Sequence, residues 1–184
     1  METIAGLFLE FENANTAVEK LQASGFGADS VSVVARDTAL AERLGGEPTV
    51  KDVASRAGIG ALSGGVGGGL LGLLVGIGAL TIPGIGPVFA AGSLAASLGL
   101  TAGGAGVGAA VGGILGAMTG LSITEEDAQV FAEGVKRGGI LVVVQTPEIR
   151  ADEVRDIFHD ADAKDVNTLR ETWRQEGWTG LDER

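Results

Sequence analysis

The pattern of apolar and polar positions divides the chain into two short mixed arms around a long apolar centre. Residues 3–11, Thr-Ile-Ala-Gly-Leu-Phe-Leu-Glu-Phe, read as a strand. A helix is expected next, capped by Asn13 or Asn15, with Ala17, Val18 and Leu21 on one face. Gly25 stops it, Phe26 packs back, and Val31 to Ala35 forms a second strand. Beyond the centre, Thr124 caps a helix over 125–137, whose first turn carries Glu125, Glu126 and Asp127 and suits the positive end of the helix dipole. Residues 139–146 are β-branched and form the strongest strand. An amphipathic helix follows over 150–161, and weak alternation over 165–172 predicts a last strand. Two β-α-β units give the order of a ferredoxin-like domain, an α+β fold split by its middle.

That middle, residues 57–124, carries no charge. Gly60, Gly64, Gly68, Gly72 and Gly76 form one series spaced by four residues; Gly104, Gly108, Gly112, Gly116 and Gly120 form another. On a helix this spacing gives a stripe nearly free of side chains, along which another backbone can approach closely. Pro83, Gly84, Gly86 and Pro87 interrupt any helix and predict a hairpin turn between helices over 58–81 and 88–121. The expected division is therefore 1–36, first half of the ferredoxin-like domain; 37–56, a linker with a short helix; 57–124, a glycine-zipper helical hairpin; 125–172, the second half; and 173–184, a polar tail.

Each helix-interior glycine costs about 1 kcal/mol relative to alanine, so the stripes demand close backbone contact in return. The outward faces, with Leu70, Leu73, Val75, Leu94 and Ile114, are too apolar to stand in water on a lone molecule. Other copies of the chain, the lipid bilayer, or both should cover them. The apolar Pro83–Pro87 turn argues for a tip that stays buried rather than one emerging beyond a membrane.

Charge narrows the partners. The net charge is −11, which disfavours nucleic acid and any broad grip on anionic lipid. Without cysteine there is neither a disulfide framework nor a thiolate metal site. The N-terminus lacks the basic and apolar regions of a signal peptide, so the expected location is cytoplasmic, including the inner face of the cell membrane.

Candidate chemistry is thin. Gly67-x-Gly69-x-x-Gly72 fits the dinucleotide fingerprint formally, but no strand precedes it and it lies inside a repetitive tract. His159, the single histidine, has Asp152, Asp156, Asp160 and Asp162 near it; a solvated acidic face explains these better than a metal site. Ser63, Ser93, Ser97 and Thr101 have no charged partner to activate them. Neither catalytic residues nor a cofactor nor a metal is expected. Trp173 and Trp178 suit a subunit contact or a cover for the sheet.

The strand-helix-strand from Ile4 to Arg36, the glycine-rich middle, Ile82-Pro-Gly-Ile-Gly-Pro-Val88 and the block Glu125-Glu-Asp-Ala-Gln … Glu133-Gly-Val-Lys-Arg-Gly-Gly-Ile-Leu-Val-Val-Val144 resemble the bacterial general stress protein domain family. Its members include low-temperature-induced proteins. The resemblance implies a stress-associated, non-enzymatic role and brings no catalytic residues.

Overall fold

Strand β5, Ile140–Thr146, is apolar on both sides of its pleat, and the fold is the set of elements that cover it. The computed structural model describes residues 1–27, 30–36, 78–82, 86–91 and 118–180, with 78–82 and 86–91 as backbone. β1 (Glu2–Phe8) and β2 (Val31–Arg36) flank β5, both antiparallel to it. Ile4 lies opposite Val144, and Val33 opposite Val142. Two further strands, β3 (Gly78–Ile82) and β4 (Gly86–Ala91), extend this three-stranded sheet beyond β2, giving the order β1-β5-β2-β4-β3.

Helices cover both faces of the three-stranded part. On one side α1 (Phe11–Ala23) and α3 (Ala151–Asp160) pack Leu21, Val154 and Phe158 onto Phe8, Val33, Val142 and Val144. Phe8 and Phe158 meet edge to face, with centroids 5.6 Å apart. On the other side α2 (Glu125–Lys136) and α4 (Val166–Gln175) pack Phe131, Val135 and Trp173 onto Leu7, Val34, Leu141 and Val143. Alternate residues of β5 therefore serve different cores, which is why it reads as an unbroken apolar run. Burying each of its aliphatic side chains contributes about 1.5–3 kcal/mol.

Helices α1 to α4 end in one way. After α1, the Gly25 N–H donates to the Gln22 carbonyl at 2.9 Å and the Phe26 N–H to Leu21 at 3.0 Å. The same pair of bonds recurs after α2 (Gly138, Gly139), α3 (Asp162, Ala163) and α4 (Gly177, Trp178). This Schellman geometry needs a left-handed residue after the cap, as at Gly25 (φ 84°) and Gly138 (φ 97°). Gly25 and Phe26 thus act as the sequence predicts, and Phe26 is buried with the Arg150 guanidinium 4.0 Å above its ring.

The block 133–139 sets how closely α2 approaches β1. A Cβ at Gly134 would lie 2.2 Å from Leu7 Cδ2, and one at Gly139 would lie 2.9 Å from the Gly134 carbonyl oxygen. Glu133 is buried and accepts from Arg137 Nε at 2.8 Å. Arg137 also donates to Glu176 at 2.5 Å and sits 4.8 Å from the centroid of the Trp173 ring. Its hydrogen bonds to Glu133 and then Glu176 raise its pKa above the ordinary guanidinium value. One side chain thus clasps α4 to α2. Trp178 packs edge to face on Trp173, 6.0 Å away.

Several expectations are corrected. Residues 165–172 are not a strand. Asp165 caps α4, accepting from the Thr168 N–H at 2.8 Å and from the Thr168 hydroxyl at 2.9 Å. Val166, Leu169 and Trp173 then share a helical face on the second core. The four-stranded ferredoxin-like sheet is therefore not completed. Among the described residues only Lys164 bridges the outer side of β1, its N–H donating to the Leu7 carbonyl at 2.8 Å. The α4 helix also crosses the expected start of the polar tail, and Trp173 is buried in its own chain. Asn13 and Asn15 lie inside α1, which starts at Phe11 after Glu10 and has no side-chain cap bond. Thr124 does cap α2, its Oγ1 accepting from the Asp127 N–H at 3.2 Å. Finally, the expected helices over 58–81 and 88–121 do not run through 78–82 or 86–91. These segments pair as strands, with Ile82 opposite Gly86. The proline- and glycine-rich turn between them, Pro83-Gly-Ile-Gly-Pro87, suits a β-hairpin as well as a helix break. Residues 38–44, where a short helix is expected, lie outside the described residues.

Two stability measurements follow from this packing. Gly134→Ala should lower unfolding stability by about 1 kcal/mol in denaturant titration, because overpacking against fully buried Leu7 exceeds the gain in helix propensity. Gly120→Ala, in an exposed helical turn, should leave stability equal or slightly raised. Backbone and then side-chain hydrogen bonds from Thr168 hold the Asp165 carboxyl below the usual carboxylate range. The cap therefore stabilises the fold fully above the ordinary aspartate value, and less as pH falls through the depressed one. Asp165→Ala should cost about 1 kcal/mol at neutral pH, and the difference from the parent protein should vanish in strong acid.

Candidate functional site

A groove lined by converging polar groups follows the outer edge of β1. It arises because the chain turns away from β1 after one bridge at Lys164 and enters α4 instead of a strand. The space is about 380 Å³ and opens to solvent. Its floor is the edge of Glu2 to Ala5. One wall is the approach to α2, where Ser122 in the left-handed region (φ 65°) lets Ile123 turn back and its N–H donate to the Met118 carbonyl at 3.1 Å. The other wall is Arg155 of α3 with the Lys164–Val166 segment.

Charges alternate around it. Arg155 donates to Glu2 and, at 2.7 Å, to Asp152. Lys164 reaches Asp162 at 2.6 Å, and Arg170 donates to Asp127 at the wall of α2. These pairs brace α3, α4 and α2 around the strand edge. The groove offers backbone hydrogen-bond groups and paired charges rather than a nucleophile beside a base. Thr124 Oγ1 is occupied as the cap of α2. Among the described residues no group of three or more metal-ligating side chains occurs. His159 and Asp156 are exposed on α3, while Asp160 pairs with Lys20 at 3.3 Å.

The residues singled out from the sequence lie elsewhere. Gly60, Gly64, Gly68, Gly72, Gly76, Gly104, Gly108, Gly112 and Gly116 fall outside the described residues, as do Pro83 and Gly84. Gly120 lies in the helical turn 118–120, exposed, and no described atom comes within 4 Å of where a Cβ would stand. Gly86 and Pro87 begin β4; Pro87 faces Thr81, and the ladder to β2 stops one residue on, at Val88 opposite Arg36. A proline without an N–H is tolerated at such a strand end. The Gly67–Gly72 fingerprint is also outside the described residues. No helix among the described residues is long and apolar enough to cross a membrane.

Sequence reasoning missed the groove because it gave the edge of β1 to a strand at 165–172. The signal against that strand was present. Asp165 stands three residues before Thr168 as a helix cap, Val166, Leu169 and Trp173 follow helical spacing, and Gly177 ends the element.

Comparison with known proteins reaches the first part of the chain. No curated protein and no solved structure matches it. The matched segment includes β1, α1, β2 and β3, and ends with β3 at Ile82. Residues 3–82 match the family model of the heat-induced stress protein YflT domain, which supports a likeness of this segment to the bacterial general stress proteins.

Proposed function

We propose that this chain is a non-enzymatic, stress-associated protein that assembles with copies of itself through its glycine-rich middle. The match of residues 3–82 to a heat-induced stress protein domain carries the stress-associated part of the reading. The uncharged tract 57–124, with two series of glycines at helical spacing, carries the assembly part. In this reading Gly64, Gly68, Gly72, Gly108, Gly112 and Gly116 are the packing positions, and the acidic α+β domain keeps the assembly soluble through its charge. The α+β domain of β1, β5 and β2, with α1 and α3 on one face and α2 and α4 on the other, is the part this reading places around the tract.

Membrane association is the second reading, supported by the apolar faces of the tract. Pairing of 78–82 with 86–91, and of 86–91 with β2, favours a soluble particle. A hairpin inserting tip-first would carry these residues into lipid, away from the sheet.

Gly68→Leu and Gly112→Leu should each collapse the native particle to a smaller species in multi-angle light scattering. An unchanged mass in both variants would refute the glycine contact. Fractionation without detergent separates the two readings: a large species in the soluble fraction supports the particle, and recovery solely with membranes supports insertion.

A further inference from the structure

From the groove geometry we infer that the open edge of β1 is a self-pairing surface, on which β1 of a second copy lies antiparallel across a two-fold axis. This goes beyond assembly through the glycine tract and does not depend on it. Among the described residues β1 ends the sheet, and its outer side is bridged at Leu7 alone. The Leu7 carbonyl accepts from the Lys164 N–H, so it points outward. Backbone groups on a strand alternate, so those of Thr3 and Ala5 point outward as well. No described residue pairs with them. Such an edge is a template for another strand.

Two properties make a second copy the occupant. The first is register. Outward groups at Thr3 and Ala5 satisfy each other when Thr3 of one copy faces Ala5 of the other, about Ile4. This gives two exchanged pairs, four N–H···O bonds, and stops short of the Lys164 bridge. The second is charge. Glu2 marks one end of the edge and Lys164 the other. The two-fold axis brings Glu2 of each copy opposite Gly6, beside the Lys164 end of its neighbour. An isologous contact requires this self-complementarity. With −11 charges on each chain, copies repel over most of their surfaces. The groove instead mixes both signs, with Arg155 and Lys164 among Glu2, Asp127 and Asp165. Half-buried Thr3 and Ala5 put no bulk or charge in the way.

The chain has no cysteine, so single cysteines can test the register directly. Thr3→Cys and Ala5→Cys are made separately in the full chain, with circular dichroism confirming the fold. Facing residues in a hydrogen-bonded pair have Cα atoms about 5.5 Å apart, within disulfide reach. Mild oxidation of the mixed variants should give a covalent heterodimer, about tenfold more than either variant gives alone. Absence of the heterodimer, or equal cross-linking in the single-variant samples, overturns the proposal. Hydrogen exchange on the unaltered protein provides a second reading. The Thr3 and Ala5 amides should become protected as concentration rises, and exchange that stays fast at every concentration overturns it too. Both readouts concern β1 alone: adding Gly68→Leu should leave the cross-link intact, whatever it does to particle mass, and loss of the cross-link there counts against an independent contact.

Discussion

The structure depends on burying β5 from four directions at once. Strands hydrogen-bond to it on either side, and helices cover it above and below. A strand with Ile140, Leu141, Val142, Val143 and Val144 in sequence cannot leave a face in water. The remaining elements follow from that demand: α1 and α3 cover one set of its side chains, and α2 and α4 the other. A two-layer ferredoxin-like domain would leave the second face open, so the added helical layer is a requirement of this strand.

That second layer is held by a short run of residues with separate roles. Gly134 and Gly139 let α2 approach β1, and Gly138 turns the chain into β5. Glu133 and Arg137 convert the end of α2 into a clasp for α4. The Glu133–Arg137 contact sits at the edge of the core, where a carboxylate with 6% of its side chain exposed needs a partner. Glu133, Gly134, Arg137, Gly138 and Gly139 thus each answer a local packing or satisfaction problem. The block that carried the family resemblance needs no ligand to explain it.

Much of the fold was legible. The first strand-helix-strand, the stop at Gly25, the Thr124 cap and β5 all follow from spacing and turn chemistry. Two elements depart from their local pattern for one reason: the alternative conformation buries more apolar surface. The alternation over 165–172 looked like a strand, but Trp173 and Leu169 at helical spacing covered an otherwise bare sheet face. The two prolines near residue 85 read as helix breakers, while residues 88–91 after them pair with β2, a long-range contact no local period announces. The groove was illegible for the same reason, since it exists where the expected strand is missing.

Arg137, Trp173 and Trp178 also determine what light can report about this molecule. The chain has two tryptophans and no tyrosine, and both indoles stack where the last helix meets α2. Near-ultraviolet emission is consequently a gauge of that one junction. A change in it registers undocking of the C-terminal helix and is blind to loosening of α1 and α3 on the opposite side of the sheet.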